Sequence, residues 1–207
     1  MATKLEDLSS SLYYDVNTNN TKGSPFLNDK NATGVLWVQK KVETKYNGFE
    51  CRFDLLNNRI QVQFAGNWYI INDQINQAIL KYLKGRDTVS ISLRSNYPPV
   101  GGNDTASIYE VVEDGHAYQL LRYLRKTKAD ISMQGSNFRY EYRLFETWYL
   151  YNASLQKIES IDSGPMSSGI IPAETLDAYK SDHKMPRKTA DWKKMVKWLN
   201  ASVVRQP

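Results

Sequence analysis

The sequence predicts a mainly β fold: an antiparallel meander, sandwich-like or a strongly curved sheet, with a C-terminal pair of short helices. Three observations support this fold class. Residues 138–144 alternate apolar and charged side chains, which is the period of a strand with one buried face. Similar short segments recur between turn residues from position 33 onward. Beyond position 170 the apolar period changes from two to three or four, which is typical of helices.

The length and composition of the chain predict one main domain with a small addition. The chain has 207 residues, enough for one core and somewhat short for two. Residues 1–31 are rich in Ser, Asn, Thr and Asp, which favours a segment without a core of its own. We therefore predict a polar N-terminal arm at residues 1–32, an antiparallel β-domain at residues 33–162, and a loop with a helical pair packed on that domain at residues 163–207.

The first group of strands reads as a meander. Val35 and Trp37 begin one strand, and residues 49–55 alternate in the next. Asn57 and Asn58 separate that strand from the apolar positions of residues 60–64. Because Asn tolerates the positive φ of a tight turn, these two strands are predicted to form an antiparallel hairpin. Further reversals are predicted at residues 66–67 and at Gly85.

The second group of strands follows a long connection. Residues 97–104 contain two prolines, which lack the N–H donor of a sheet ladder, so this stretch cannot be a central strand. Asp114 and Gly115 lie between the alternating residues 108–112 and 118–124 and predict a hairpin with a type I′ turn. Residues 163–169 then end the strand region.

Two helices are predicted at the C-terminal end. Pro172 suits the first position of a short helix that carries Leu176 and Tyr179. A second helix is predicted by an apolar stripe at helical spacing, formed by Trp192, Met195, Val196 and Leu199.

Charge and cysteine content exclude several classes. The net charge of +5 is mild for this length and argues against a dedicated nucleic-acid binder. The single cysteine, Cys51, shares its strand phase with Phe49 and Phe53, so it is predicted to be buried, free of any disulfide and dispensable for function.

The sequence predicts no membrane span. No apolar run approaches the roughly 20 residues that cross a bilayer. The first thirty residues lack the apolar segment of a signal peptide, although such a peptide could have been removed before Met1.

The motifs that carry common chemistries do not occur. His116 and His183 lie far from any cluster with metal-ligand spacing, so no metal site is predicted. Ser167 and Ser168 do not lie in a nucleophile elbow, and the glycines form neither a dinucleotide fingerprint nor a phosphate loop. We therefore predict no cofactor. Neighbouring glutamates, such as Glu110 and Glu113, have odd spacings that place them on opposite faces of a strand.

The high aromatic content suggests a binding surface. The chain has fourteen Tyr and five Trp residues, which in a β-domain can form stacking platforms for sugar rings or an apolar pocket. A ligand site is predicted at Trp148, Tyr149 and Tyr151, because there both faces of one strand are apolar and touch either other protein atoms or a ligand. The alternative is that these residues are ordinary strand formers with their polar tips in water.

A second surface feature is basic. Residues 122–128 and the last helix are rich in Lys and Arg, which attract phosphates or anionic lipid head groups. The alternative, which the sequence favours, is a solvated edge strand and the outer face of an amphipathic helix.

Three segments resemble a known group of proteins. They are the segment Gly23-Ser24-Pro25-Phe26-Leu27-Asn28-Asp29, the hairpin at residues 109–115 that runs into Leu120-Leu121-Arg122-Tyr123, and the closing Trp-rich basic helix. In this order they resemble uncharacterised secreted β-rich proteins of Bacteroidetes-type bacteria, over residues 23–200. The chain departs from that pattern by a longer insert around residues 98–104 and by the missing signal peptide. The resemblance implies an extracytoplasmic location, which is periplasmic, at the cell surface or secreted, and it implies no catalytic residues.

The sequence therefore favours a non-enzymatic extracytoplasmic binding or structural module that uses an aromatic β-surface for an unidentified ligand or protein partner, with a glycan as one candidate. The first alternative is a glycan-acting hydrolase whose carboxylates come from separate strands. The second is a basic module for anionic polymers.

Overall fold

The computed structural model describes residues 8–13, 20–28, 31–132, 137–161 and 169–203. These residues form a mainly β fold with a C-terminal helical pair, as predicted. The strands are β1 (Ser10–Leu12), β2 (Thr21–Lys22), β3 (Ala32–Gln39), β4 (Thr44–Asp54), β5 (Arg59–Phe64), β6 (Asn67–Ile71), β7 (Gln74–Lys84), β8 (Asp87–Arg94), β9 (Tyr109–Glu113), β10 (Tyr118–Asp130), β11 (Tyr140–Asn152) and β12 (Lys157–Ser160). The helices are α1 (Ala173–Asp182) and α2 (Thr189–Val203). Neither of these two helices has the length and apolar content that crossing a bilayer requires.

The chain divides into two compact units. Unit 1 comprises Met1–Ser95 and Leu124–Glu146, and unit 2 comprises Asn96–Tyr123 and Thr147–Pro207. Both β10 and β11 therefore contribute residues to each unit. The units group residues by proximity in space, whereas the predicted regions 1–32, 33–162 and 163–207 divide the chain in linear order.

Unit 1 is built on an antiparallel sheet in which β3 to β6 form the predicted meander, whereas β7 crosses over to pair with β3 instead of β6. Its described strands lie in the order β1-β6-β5-β4-β3-β7-β8, and each is antiparallel to its neighbours. One face of the sheet is apolar and buried, and its members include Leu36, Val38, Phe49, Cys51, Phe53, Leu80 and Leu93. The segment for which the sequence predicts a polar arm contributes β1, which pairs with β6, and β2, which pairs in parallel with β11 at Tyr140 and Glu141.

The hairpin between β4 and β5 turns where the sequence predicts. Asn57 and Asn58 lie in the turn, and Asn58 has a φ of 52°, in the left-handed region that Asn tolerates. The carboxylate of Asp54, which is almost fully buried, accepts hydrogen bonds from the backbone N–H groups of Leu56 and Asn57 at 2.9 and 3.2 Å. The buried aspartate thus satisfies backbone donors that the tight turn leaves without ladder partners.

The Gly-Ser-Pro-Phe segment is bound to the meander through its backbone. The Leu27 N–H donates to the carbonyl of Phe53 at 2.9 Å, and the Leu55 N–H donates to the carbonyl of Pro25 at 3.0 Å. The ammonium group of Lys126 donates to the carbonyl oxygens of Ser24, at 2.8 Å, and of Phe26. This short motif therefore acts as a structural latch in unit 1.

An arginine stacked between aromatic rings completes the latch. The guanidinium carbon of Arg52 lies 4.0 Å from the ring centre of Phe26 and 4.1 Å from that of Trp68. Arg52 Nε also donates to Gln61 Oε1 at 2.7 Å. Cation–π contacts of this kind stabilise by about 0.5–2 kcal/mol each, so the Phe26 side chain is fixed on the sheet.

In unit 2 the sheet order is β9-β10-β11-β12, with antiparallel pairing between β9 and β10 and between β11 and β12. The helices cover one face of these strands. Leu120 and Leu150 of the sheet form one apolar cluster with the predicted stripe of α2, and the cluster also contains Leu176 and Tyr179 of α1. The predicted apolar stripe of α2 is therefore buried in this cluster.

The hairpin between β9 and β10 is confirmed, but its turn differs from the predicted type I′ turn. Four residues, 114–117, separate the two strands, and Gly115 does not adopt a positive φ. Gly115 is required for a different reason: a Cβ atom there would lie 2.1 Å from Asn200 Nδ2. The Oδ1 atom of Asn200 accepts from the N–H groups of Ala117 and Tyr118 at 3.0 and 2.9 Å, and its Nδ2 donates to the Tyr118 carbonyl at 2.9 Å. One amide of α2 therefore organises this turn.

The first prediction concerns the apolar stripe of α2. Replacing Trp192 by Ala should lower the free energy of unfolding by about 3–5 kcal/mol, because the buried indole leaves a cavity. Replacing Lys193, Lys194 and Lys197 together by Gln should change it little, since Lys197, which pairs with Glu113 at 3.7 Å, is largely exposed. Urea unfolding measures both. Equal stability of Trp192→Ala and the parent, with steeply salt-dependent DNA binding that the lysines carry, would contradict it.

The second prediction concerns Cys51. Burial, followed by the nearby charge of Glu50, raises the pKa of its thiol to about 12, so the reactive thiolate is scarce at neutral pH. A thiol reagent should label the native protein slowly and the urea-unfolded protein at once. Cys51→Ala should fold and keep its ligand binding. Fast labelling of the folded protein would show that the thiol is accessible after all.

The third prediction concerns the Asn200 contact. Asn200→Ala should cost about 2–3 kcal/mol of stability, because it leaves the N–H groups of Ala117 and Tyr118 without their acceptor. The matched control is Ser202→Ala, whose hydroxyl bonds only within α2, to the Trp198 carbonyl, and which should change stability by less than about 0.5 kcal/mol. Equal melting temperatures for the two variants would refute the assigned role of Asn200.

Candidate functional site

Two of the three predicted ligand residues lie in a cluster of tyrosines in unit 2. The exposed fractions of Tyr149 and Tyr151 are 5% and 9%. The ring of Tyr149 lies 5.6 Å from that of Tyr109, and the ring of Tyr151 lies 5.0 Å from that of Tyr97, both edge to face. The rings therefore pack against one another, which is the geometry of an aromatic core.

The proline-containing connection covers this cluster. Tyr97 at its start contacts Tyr109 and donates a hydrogen bond to Gln119 Oε1 at 2.7 Å. The Cβ position of Gly101 would lie 3.6 Å from the Tyr149 hydroxyl. Burial raises the pKa of Tyr109 to about 12, so its hydroxyl is neutral at ordinary pH. This side of the sheet is thus occupied by a loop of the same chain.

Trp148, the third predicted residue, lies on the opposite face and is half-buried. It packs against the cluster formed with α1 and α2. The guanidinium of Arg122 lies 5.3 Å from its ring centre and is held by Glu110, whose Oε2 atom lies 2.6 Å from Arg122 Nη2. One side of the indole is therefore occupied by this ion pair.

These placements explain why β11 is apolar on both faces. Leu150 points to the helices, while Tyr149 and Tyr151 point to the tyrosine cluster. The sequence predicts that each face touches protein atoms or a ligand, and in unit 2 protein atoms cover both. Of the three predicted site residues, Trp148 alone keeps a substantial accessible area.

A different tryptophan lies on an open sheet face in unit 1. Strand β3 is apolar in both phases: Leu36 and Val38 are fully buried, whereas Val35 and Trp37 on the other face are half-buried. Trp37 is directly opposite Lys45 of β4 and Gln77 of β7, and Val35 is opposite Asn47 and Ile79. We call this face the Trp37 surface, and it comprises Val35, Trp37, Lys45, Asn47, Gln77, Ile79 and Ser92.

The Trp37 surface combines an aromatic ring with amide and hydroxyl groups. Asn47 and Lys45 are exposed, and the Lys45 ammonium lies 5.0 Å from the Trp37 ring centre. Gln77 Nε2 donates to the Ser92 hydroxyl at 3.3 Å, which orients both polar groups beside the indole. This arrangement offers an indole with the Lys45 ammonium over one of its faces and hydrogen-bonding groups around it.

The sequence contained a signal for this surface. Residues 35–38 read Val-Leu-Trp-Val, so both phases of the strand are apolar, and the same criterion selected Trp148, Tyr149 and Tyr151. In the sequence alone, Val35 and Trp37 indicate only the beginning of a strand. The criterion finds strands with two apolar faces, and it does not distinguish a face covered by protein from an accessible one.

Unit 2 also contains a groove between the end of α1 and the beginning of α2. Its volume is about 730 Å³, within the range of small-molecule sites. Its lining includes Tyr179, His183, Lys184, Met185, Arg187 and Lys194. The ring of His183 stacks on that of Tyr179 at 4.6 Å with an interplanar angle of 10°. The groove thus has an aromatic wall and several cationic side chains.

Several carboxylates of the described residues are engaged in ion pairs. Glu110 pairs with Arg122, and Lys157 Nζ lies 2.6 Å from a carboxylate oxygen of Glu159. Hydrogen bonds from Lys22 and Arg143 lower the pKa of Glu141, which is the opposite of the raised pKa of a general acid. Among the described residues, no group of three or more His, Cys, Asp and Glu side chains is arranged to hold a metal ion.

Comparisons with known proteins identify no relative from which a function could be transferred to this chain. No protein-family model, no curated protein and no solved structure matches this chain.

Proposed function

We propose that the protein is a non-enzymatic binding module that uses the Trp37 surface of unit 1 for a glycan, and that it acts outside the cytoplasm, as the resemblance to secreted proteins implies. The observation that carries the proposal is the double apolar phase of β3. Leu36 and Val38 supply the core, so burial does not require the apolar Val35 and Trp37 on the other face.

The ligand class follows from the groups around the indole. A sugar ring has a flat C–H face that packs on an aromatic ring, and hydroxyl groups at its edge that need donors and acceptors. Trp37 supplies the aromatic face, and Asn47, Gln77 and Ser92 supply polar groups in the neighbouring strands. Lys45 lies beside the indole, and Arg94 of β8 is on the same face as Ser92, so the surface also offers cationic donors.

The rigid setting of these groups supports binding as well. The members of the Trp37 surface lie in four adjacent, paired strands, which limits the backbone ordering that ligand binding requires, although register shifts interrupt the pairing beside Val35 and Trp37. The alternative of a glycan-acting hydrolase gains no support from this site, because none of its members is a carboxylate.

The fourth prediction tests the Trp37 surface. A glycan array should identify an oligosaccharide ligand, and calorimetry should then measure its affinity for variants. Trp37→Ala should weaken binding at least about tenfold, or about 1.4 kcal/mol, because it removes the stacking platform. Trp37→Phe should retain part of the affinity. Gln77→Ala should weaken binding severalfold through the lost hydrogen bonds.

The matched control is Phe145→Ala, which removes another exposed aromatic side chain, on β11. It should bind the glycan as the parent does. Melting curves of all variants separate loss of binding from loss of folding. An array without any ligand, or undiminished affinity of Trp37→Ala, would refute the proposal.

A further inference from the structure

The groove between α1 and α2 in unit 2 concentrates cationic side chains on a concave surface. Lys184 and Arg187 come from the connection between the helices, and Lys194 comes from α2. All three side chains are exposed and line the same groove. An anion in the groove would be attracted by each of them, with partial screening by solvent.

These cations have no carboxylate partner within the part of the chain that the structure describes. The ion pairs of the neighbouring helical residues are Lys180 with Asp177 at 3.3 Å and Lys197 with Glu113 at 3.7 Å, and neither includes Lys184, Arg187 or Lys194.

Two carboxylates also line the groove, and both have other partners. Asp191 accepts from the backbone N–H of Arg187 at 3.4 Å and lies in the first turn of α2, where a negative charge is stabilised. Asp182 accepts from the Ser181 hydroxyl at 3.1 Å. Three cations and two carboxylates leave a formal charge of +1 on the lining, which matches a single negative charge.

The groove is larger than a bare ion requires. Its volume of about 730 Å³ accommodates a ligand with at least one ring. Tyr179 is buried and supports His183, whose ring stacks on it, and Met185 adds an apolar, adaptable contact. The charged and apolar parts of the lining together select an organic anion.

We propose that this groove binds a monoanionic organic ligand whose charged group is a sulfate ester or a carboxylate. Arg187 pairs with two oxygens of that group through its planar guanidinium, and Lys184 and Lys194 add point charges. The ring or chain that carries the charge packs on His183 and Met185. This site lies in unit 2 and is independent of the Trp37 surface, so each proposal can fail without the other.

The fifth prediction tests the groove with the full chain and two probes, phenyl sulfate and benzoate, at constant ionic strength set with chloride. The chain has two histidines, so NMR resolves the imidazole signals of His183 in the groove and of His116 in the β9–β10 turn. The His183 signals should shift and saturate with one site per chain, while those of His116 stay unchanged. Inorganic sulfate should bind at least about tenfold more weakly, because it makes no contact with the apolar wall.

The variants separate a site from general charge attraction. Arg187→Gln should weaken phenyl sulfate binding at least about tenfold. The matched control, Lys193→Gln, removes an equal charge from α2 outside the groove and should have no effect. Whichever probe binds more tightly identifies the charged group as a sulfate ester or a carboxylate. Absence of saturation, equal shifts of both histidines, or equal losses in the two variants would each overturn the proposal.

Discussion

A strand that is apolar on both faces is stable in water only when something covers each face, and unit 2 depends on this constraint. Leu150 and Tyr149 are neighbours in sequence, point in opposite directions and are both buried. The helices cover the first, and the proline-containing connection with its tyrosine partners covers the second. Residues outside the sheet therefore form two obligatory layers, because removal of either would expose several aromatic or aliphatic side chains, each worth about 1.5–3 kcal/mol when buried.

Unit 1 meets the same constraint only in part. Near Arg52, the outer face of the meander is covered by the Gly-Ser-Pro-Phe latch, which places Phe26 on the guanidinium and binds Lys126 through two carbonyl oxygens. Farther along the same face, Val35 and Trp37 remain half-buried. A lysine and two amides beside them reduce the exposed apolar area, which lowers the tendency of such a face to aggregate while leaving the indole accessible.

Local chemistry was sufficient for much of the fold. The Asn57–Asn58 turn, the alternation of β4 and the stripe of α2 each depend on residues close in sequence, so the sequence predicts them correctly. Long-range partners were not predictable. The double apolar phase of β11 was visible, but the residue that covers Tyr149 from the connection, Asn103, lies 46 positions away. The Asp114-Gly115 pair is typical of a type I′ turn, but position 115 requires glycine because the amide of Asn200 lies against it. The site prediction therefore found a strand with two apolar faces, on which Tyr149 and Tyr151 are buried and Trp148 is half-buried.

The Asn200 contact also has a consequence for synthesis of the protein. Tyr118 and Asn200 are 82 positions apart, and the amide satisfies backbone groups of a turn that forms early in the chain. At ribosomal rates of about 5–20 residues per second, synthesis of the residues between Tyr118 and Asn200 takes on the order of 4–16 s. Until α1 and α2 have been synthesised, Leu120 and Leu150 lack the helices that cover them in the folded protein. The packing of this part of unit 2 is therefore completed only after α2 has been synthesised, although the turn and Leu120 precede it in the chain.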